Sequence, residues 1–344
     1  MRAIRLSLAI FAAATQAQAG VISGDATCQA AAAFSDARRG AEILVLRDGK
    51  PVCEAYSGEG APDHRMELWS GTKSFSGLML AAAVQDGLVA LDEPVSKTLP
   101  EWRDDTRKAK ATIRDLLTLS AGLRGPVGRP PTYADAVLLP LESEPGQVFS
   151  YGPASYQVWG EVMRRKLAAA GQPADPYLYL KRRILDPIGL TDIVWRRNPA
   201  GDPLLPQGAV LTAREWARFG EFVRAGARVG GKPLVDPATF HALFVSSPAN
   251  PAYGVTWWLP HVASSMDHVG SRSDLGTQAA ELPADLVMAA GAGDQRLYVI
   301  PSRHLTIVRL ATYNLRTMLT REARGEPWSD ATFLKLVLAD PALR

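Results

Sequence analysis

Residues 66–95 read Met-Glu-Leu-Trp-Ser-Gly-Thr-Lys-Ser-Phe-Ser-Gly-Leu-Met-Leu-Ala-Ala-Ala-Val-Gln-Asp-Gly-Leu-Val-Ala-Leu-Asp-Glu-Pro-Val. The pattern predicts a helix from about Ser70, with Phe75, Leu78, Met79 and Val84 on its apolar side. Gly87 supplies a natural C-terminal stop. Within it lies the one S-x-x-K of the chain, Ser70-Gly71-Thr72-Lys73, which places Lys73 one turn after Ser70 on the same helix face. A serine hydroxyl is a poor nucleophile at neutral pH and needs a neighbouring base. A lysine serves when burial or nearby cations depress its pKa. The helix dipole favours negative charge developing at Ser70. Taken alone, the tetrapeptide reads better as an N-capping serine followed by a surface lysine, so its surroundings decide.

Strands occur at both ends of the chain with a helical block between them. An alanine-rich helix is predicted over 27–39, followed by Ile43–Leu46 and Val52–Tyr56 around Asp48-Gly49, a strong hairpin signal. From about Leu91 to Ser247 the pattern is mostly helical, with Pro- and Gly-rich loops such as Gly125–Pro131. Thr212 and Glu215 make a capping box before Trp216, Phe219 and Phe222. Strands return at Leu286–Ala290, Arg296–Ile300 and Leu305–Leu310, and a last helix is expected over Ser329–Ala339. The simplest assembly is an α/β (α+β) fold in which both chain ends close one antiparallel sheet, flanked by N- and C-terminal helices, with the helical block inserted as a second lobe. The sheet lobe takes about 20–90 and 250–344, the helical lobe about 91–249. Ligand sites tend to form in the cleft between such lobes.

The 344 residues are 47% hydrophobic and 21% charged, with a formal charge of +3, which excludes a disordered chain. No apolar run reaches the roughly 18 residues of a membrane span. Arg103, Arg107, Lys108 and Lys110 alternate with Asp104 and Asp105, a solvated face that argues against nucleic-acid binding. Arg2 and Arg5, the apolar run Leu6–Ala14 and Ala17-Gln18-Ala19 read as a signal peptide over 1–19, cleaved after Ala19; the alternative is a buried N-terminal helix. The expectation is export, to a bacterial periplasm, with no cysteine at the cleavage point to carry a lipid. In that compartment Cys28 and Cys53 can hold a disulfide, although spacing alone leaves their pairing open. Neither CxxC nor HExxH occurs, and the scattered His64, His241, His261, His268 and His304 receive no role, so no metal or organic cofactor is expected.

Two other motifs carry nothing. Gly226–Lys232 fits GxxxxGK, but Pro233 stands where magnesium needs Ser or Thr, and a helix precedes it where a phosphate loop needs a strand. No G-x-S-x-G exists, which removes the α/β-hydrolase nucleophile elbow.

Several segments recur in a familiar order. After 66–95 come Thr112-Ile113-Arg114-Asp115-Leu116-Leu117-Thr118, then Ser120-Ala121-Gly122-Leu123, then Pro145-Gly146-Gln147-Val148-Phe149-Ser150-Tyr151. Asp186-Pro187-Ile188-Gly189-Leu190-Thr191-Asp192 follows, and Gly291-Ala292-Gly293-Asp294-Gln295 precedes Tyr298-Val299-Ile300-Pro301. Together, over about Ala41–Leu310, they resemble the serine β-lactamase and penicillin-binding-protein superfamily, most closely its class C β-lactamase-like branch of esterases and small-amide hydrolases. The resemblance implies a β-lactamase-like fold and an acyl-enzyme formed on Ser70. It implies proton transfer shared by Lys73 and Tyr151, and leaves open which is the base. It implies an oxyanion hole from the backbone N–H groups of Ser70 and Ala292, beside Gly291. Similar segments of that branch line the acyl pocket, which is the role expected of Trp257 within Tyr253–Trp258; the alternative is a sheet-edge aromatic cluster in the core. Trp69 and Trp216 are expected to pack in the core.

The departures narrow the expectation. The superfamily's Tyr-x-Asn is here Tyr151-Gly152-Pro153, which offers no side-chain amide, and Ala289-Ala290-Gly291 stands where a Lys or His usually precedes Thr-Gly. A site without that cation holds a penicillin carboxylate poorly, unless Arg296 compensates; strand alternation leaves its direction open. The reading is therefore an exported serine hydrolase of small-molecule esters or amides. Two alternatives stand beside it: a penicillin-recognising β-lactamase or D-amino-acid peptidase, and a catalytically silent binding protein of the same fold. Nothing in the sequence sets the oligomeric state.

Overall fold

The computed structural model describes residues 20–23, 26–264, 273–313 and 326–343. The predicted signal peptide and His268 lie outside them. Strand β1 (Gly20–Ser23) is followed by helix α1 (Ala26–Asp36), β2 (Gly40–Arg47), β3 (Lys50–Tyr56) and β4 (Met66–Glu67). A 3₁₀ turn over Trp69–Thr72 runs into α2 (Lys73–Gln85). The second lobe holds α3 (Ile113–Leu117), α4 (Tyr133–Leu138), α5 (Ala154–Ala169) and α6 (Pro176–Leu180). Then come β5 (Val194–Trp195), β6 (Ala209–Leu211), α7 (Ala213–Arg224), β7 (Arg228–Val229), β8 (Lys232–Pro233) and α8 (Pro237–Ala242). The chain ends with β9 (Val287–Gly291), β10 (Gln295–Ile300), β11 (Leu305–Ala311) and α9 (Asp330–Val337).

The six-stranded sheet has the order β1-β3-β2-β11-β10-β9, every neighbouring pair antiparallel. The expected α/β architecture with an antiparallel sheet closed by both chain ends is therefore the one observed. Asp48 and Gly49 both take positive φ, +49° and +75°, as the two-residue hairpin turn between β2 and β3 requires. Side chains alternate across a strand, so Thr306 and Leu297 face one side of the sheet, while Arg309, Arg296 and Tyr298 face the other. Helix α7 covers the first side, with Gly220 so close that an added Cβ would stand 2.5 Å from Thr306. Helices α1 and α9 cover the second, where Arg309 donates to Ser35 and Arg296 to Asp330. Cys28 of α1 and Cys53 of β3 form a disulfide, Cα–Cα 5.5 Å, which pins the helix to the sheet. In the chain-entropy picture a loop of this size contributes about 3 kcal/mol.

Two placements differ from expectation. Helix α7 falls within the span assigned to the helical lobe but packs on the sheet, led there by its Thr212–Glu215 capping box and its buried Trp216, Phe219 and Phe222. Helix α2 is buried around its circumference from Lys73 to Ala83, and not on one face alone. It runs between α7 and the helical lobe: Phe75 stacks on Phe219 at 3.9 Å, and Gly77 meets Leu243 and Thr256. A helix apolar on every side belongs in such a position. The GxxxxGK segment becomes the small β7–β8 hairpin. Among the described residues no helix is long and apolar enough to cross a membrane.

Candidate active site

The 3₁₀ turn that carries Ser70 abuts the end of strand β9. An added Cβ on Gly291 would lie 2.0 Å from the Leu68 carbonyl and 3.1 Å from the Gly71 nitrogen, so only glycine allows the approach. Gly291, paired with Gln295, is the last residue of the β9–β10 ladder, and Ala292 begins the turn. Its amide and that of Ser70, in the first turn of a helix where N–H groups lack intrahelical partners, flank this contact. The Gln295 side chain clamps the turn by donating to the Ala311 carbonyl at 2.6 Å and accepting from the Ala311 amide at 2.9 Å.

Lys73 is 4% exposed, and its ammonium Nζ donates to Ser70 Oγ at 2.9 Å and to the Pro206 carbonyl at 3.2 Å. It faces the rings of Tyr151 and Tyr156, 4.9 and 5.5 Å from their centroids. Burial alone pulls its pKa down to about 7, with no charged neighbour among the described residues to restore it. Tyr151 closes the cluster from the helical lobe, just before α5. Its approach is fixed by backbone bonds: the Gly146 amide donates to Ser120 O at 2.8 Å, and the Ser150 amide to Leu119 O at 2.7 Å. Burial pushes the Tyr151 phenol up to about 12, against a hydrogen bond with Ser70 and the nearby Arg296 charge, which lower it. Ser70, Lys73 and Tyr151 are therefore brought together. The assembly can remove a proton from a hydroxyl at neutral pH and return one to a departing group.

Trp257 is a correction. It is fully buried in the core, lying parallel to Phe219 at 6.3 Å and edge-on to Phe244 at 5.8 Å. Its neighbour Trp258 joins Phe149, Tyr151 and Tyr253 instead, 5.8 Å from the Tyr151 ring. Thr256, at φ +73°, turns the chain just before the two tryptophans. Trp216 packs in the core as expected, whereas Trp69 is only half-buried. Arg296 does not point at a free anion site: its guanidinium donates to Asp330 at 2.7 Å and to the Gly291 and Gln295 carbonyls.

Sequence reasoning passed over the Pro206 carbonyl, Tyr156 and Asp330. A backbone acceptor such as Pro206 leaves no side-chain signal. Tyr156, one α-helical turn past Gly152, is visible only as an apolar helix position; its hydroxyl meets that of Tyr253 at 2.9 Å.

With this geometry in place, the profile of the family described as Beta-lactamase matches residues 24–326. The chain belongs to that family. Its fold is shared with a beta-lactamase-like protein from Bacteroides dorei, solved as a putative beta-lactamase (TM-score 0.70, 18% identity, 91% of this chain and 97% of that one). It is likewise similar to a putative 6-aminohexanoate-dimer hydrolase from Bacillus anthracis (0.65, 17%, 89% and 80%). A third similar structure is EstCE1, a hydrolase with promiscuous acyltransferase activity (0.64, 16%, 92% and 97%). At these identities the likeness carries the fold, and the family places the chain among β-lactamase-like serine hydrolases.

Proposed function

We propose that the chain is an exported serine hydrolase that cleaves an ester or small linear amide through an acyl-Ser70 intermediate. The observation that carries this reading is the buried Lys73 amine, 2.9 Å from Ser70 Oγ and with its pKa pulled down to about 7. Half-neutral at pH 7, Lys73 accepts the Ser70 proton as Oγ bonds to the substrate carbonyl carbon. The amides of Ser70 and Ala292 receive the developing oxyanion, a contribution of about 3 kcal/mol from each well-aimed donor. Tyr151, protonated at neutral pH, donates to the leaving alkoxide or amine and regains its proton by way of Lys73. Water then attacks the acyl-Ser70 carbonyl along the same proton path and releases the acid. Lys73 and Tyr151 titrate as a coupled pair.

Pro153, the uncharged Ala289-Ala290-Gly291 and the pairing of Arg296 with Asp330 favour esters and linear amides over penicillins. The named activities of the Bacillus anthracis and EstCE1 neighbours lean the same way. Export is supported by the pattern of residues 1–19 and by the Cys28–Cys53 disulfide, a bond that persists in oxidising compartments.

Intact-protein mass after brief exposure to an activated short-chain aryl ester, and separately to a penicillin, tests the reading on wild type and Ser70→Ala. Ester turnover with a transient adduct that disappears in Ser70→Ala, and no penicillin adduct or turnover, is the expected result. A penicillin adduct or its consumption would transfer the assignment to cell-wall substrates. Ester turnover that survives in Ser70→Ala would remove Ser70 from the mechanism.

A further inference from the structure

Trp69 takes no part in the proton-transfer cluster, yet its setting demands a reason. Its φ is +49°, a left-handed backbone that glycine adopts freely and a bulky residue resists. The indole does not escape into the core to compensate; it stays half-buried, as does Tyr313, whose ring meets it edge-on with centroids 5.3 Å apart. The Arg196 guanidinium lies 5.5 Å from the indole centroid and is held there by its ion pair with Glu67. Tyr313 in turn crowds the β9–β10 turn: an added Cβ on Gly293 would stand 2.5 Å from it. The amide of Ser70 directly follows Trp69, and that of Ala292 directly precedes Gly293. Trp69 thus immediately precedes one of the two amides proposed to receive the oxyanion, and Tyr313 packs against the residue that follows the other. A strained backbone that holds a partly exposed indole beside the nucleophile is the pattern expected when function, and not packing, selects the side chain.

We infer that Trp69 and Tyr313 form an aromatic shelf that binds a flat ring carried by the substrate next to its scissile carbonyl. The preferred substrates are then arylalkyl-substituted esters or amides. A ring in offset or edge contact with two aromatic side chains gains specific attraction beyond its buried area. The ring can belong to the acyl or to the alcohol part of the substrate. The inference rests on the acyl-Ser70 reading.

Hydrolysis of methyl acetate, methyl phenylacetate and benzyl acetate, followed by acid release in a pH-stat, separates the possibilities. The expected result is that wild type favours one arylalkyl ester over methyl acetate by more than their alkaline hydrolysis rates differ. Preference for methyl phenylacetate puts the ring on the acyl side, and preference for benzyl acetate puts it on the alcohol side. In Trp69→Gly that kcat/KM ratio falls by about tenfold, the equivalent of one good aromatic contact. Because glycine relieves the backbone, its melting temperature does not fall. Tyr313→Leu lowers the same ratio and stands in if the glycine variant folds poorly. Equal loss on all three esters in both variants, or no aromatic preference in wild type, overturns the shelf while leaving the hydrolase reading intact. Failure of wild type to cleave any of the three overturns the shelf; failure of the activated aryl ester to acylate Ser70 as well overturns the acyl-Ser70 reading with it.

Discussion

Lys73 and Arg296 are both cations buried near the same turn, and their surroundings give them opposite behaviour. Burial works against the Arg296 charge, but Asp330 at 2.7 Å and Asp294 at 3.4 Å outweigh it and raise its pKa, and the guanidinium also donates to two carbonyls. Lys73 has a hydroxyl, one carbonyl and two ring faces, and burial brings its pKa down to about 7. The lesson is that burial without a counter-charge makes a proton exchanger, while burial with one makes a strut. Glu42 is a mixed case: burial and the like charge of Glu54 push its carboxyl up to about 8, against the Tyr56 hydrogen bond and the Arg214 charge, which lower it.

Replacing Lys73 puts the comparison at greatest risk. Lys73→Met should lower kcat/KM by at least about 100-fold, the usual scale for losing a general base. The same variant should be more stable than wild type. The folded-state pKa lies below the unfolded value of 10.5, so the native protein resists protonation. That penalty is complete below about pH 7 and fades as pH rises through 10.5. The gain in stability of Lys73→Met should shrink across that window in denaturant titrations. A variant that loses stability at pH 6, or keeps its activity, would contradict the role given to burial.

Asp330→Ala probes the strut. Removing the carboxylate strands a buried guanidinium, and breaking a buried pair in this way costs about 3–5 kcal/mol. Chemical denaturation measures it directly. Near-native stability would mean that Asp294 and the carbonyls suffice for Arg296.

The smallest effect sharpens the contrast. Tyr156→Leu removes one of the two rings facing Lys73, whereas Tyr156→Phe keeps it. A desolvated cation–ring contact is worth about 1–2 kcal/mol, so the acid limb of the kcat/KM profile should move down by about one pH unit in Tyr156→Leu. The limb should stay in place in Tyr156→Phe, and equal shifts in both would assign the effect to the hydroxyl.

What the sequence made legible is local. The Asp48-Gly49 turn, the Thr212–Glu215 capping box and the stop at Gly87 are encoded within a few residues, and each forms where expected. Ser70 and Lys73 share a helical turn, so their meeting is also local. Tyr151 arrived through the family resemblance, because its approach to Ser70 depends on Leu119 and Ser120 holding a distant loop. The side of the sheet on which α7 packs, the choice between Trp257 and Trp258, and the direction of Arg296 depend on packing partners far along the chain. No spacing rule contains them. The two adjacent tryptophans show why: Trp257 packs on Phe219 and Phe244, and Trp258 on Tyr151, partners that lie far away in the sequence.

Strand β2 lies between β3, its immediate successor, and β11, from the other end of the chain: Ile43 is paired with both Ala55 and Arg309. The first hairpin closes a loop of two residues and can form early, but its second edge waits until nearly all of the chain is present. Until then that edge exposes a row of unpaired backbone groups along an apolar strand, the usual template for unwanted association between chains. Assembly of this molecule is therefore gated by its C-terminal strands, and the turn bearing Ser70 gains its neighbour Gly291 only when that gate has closed.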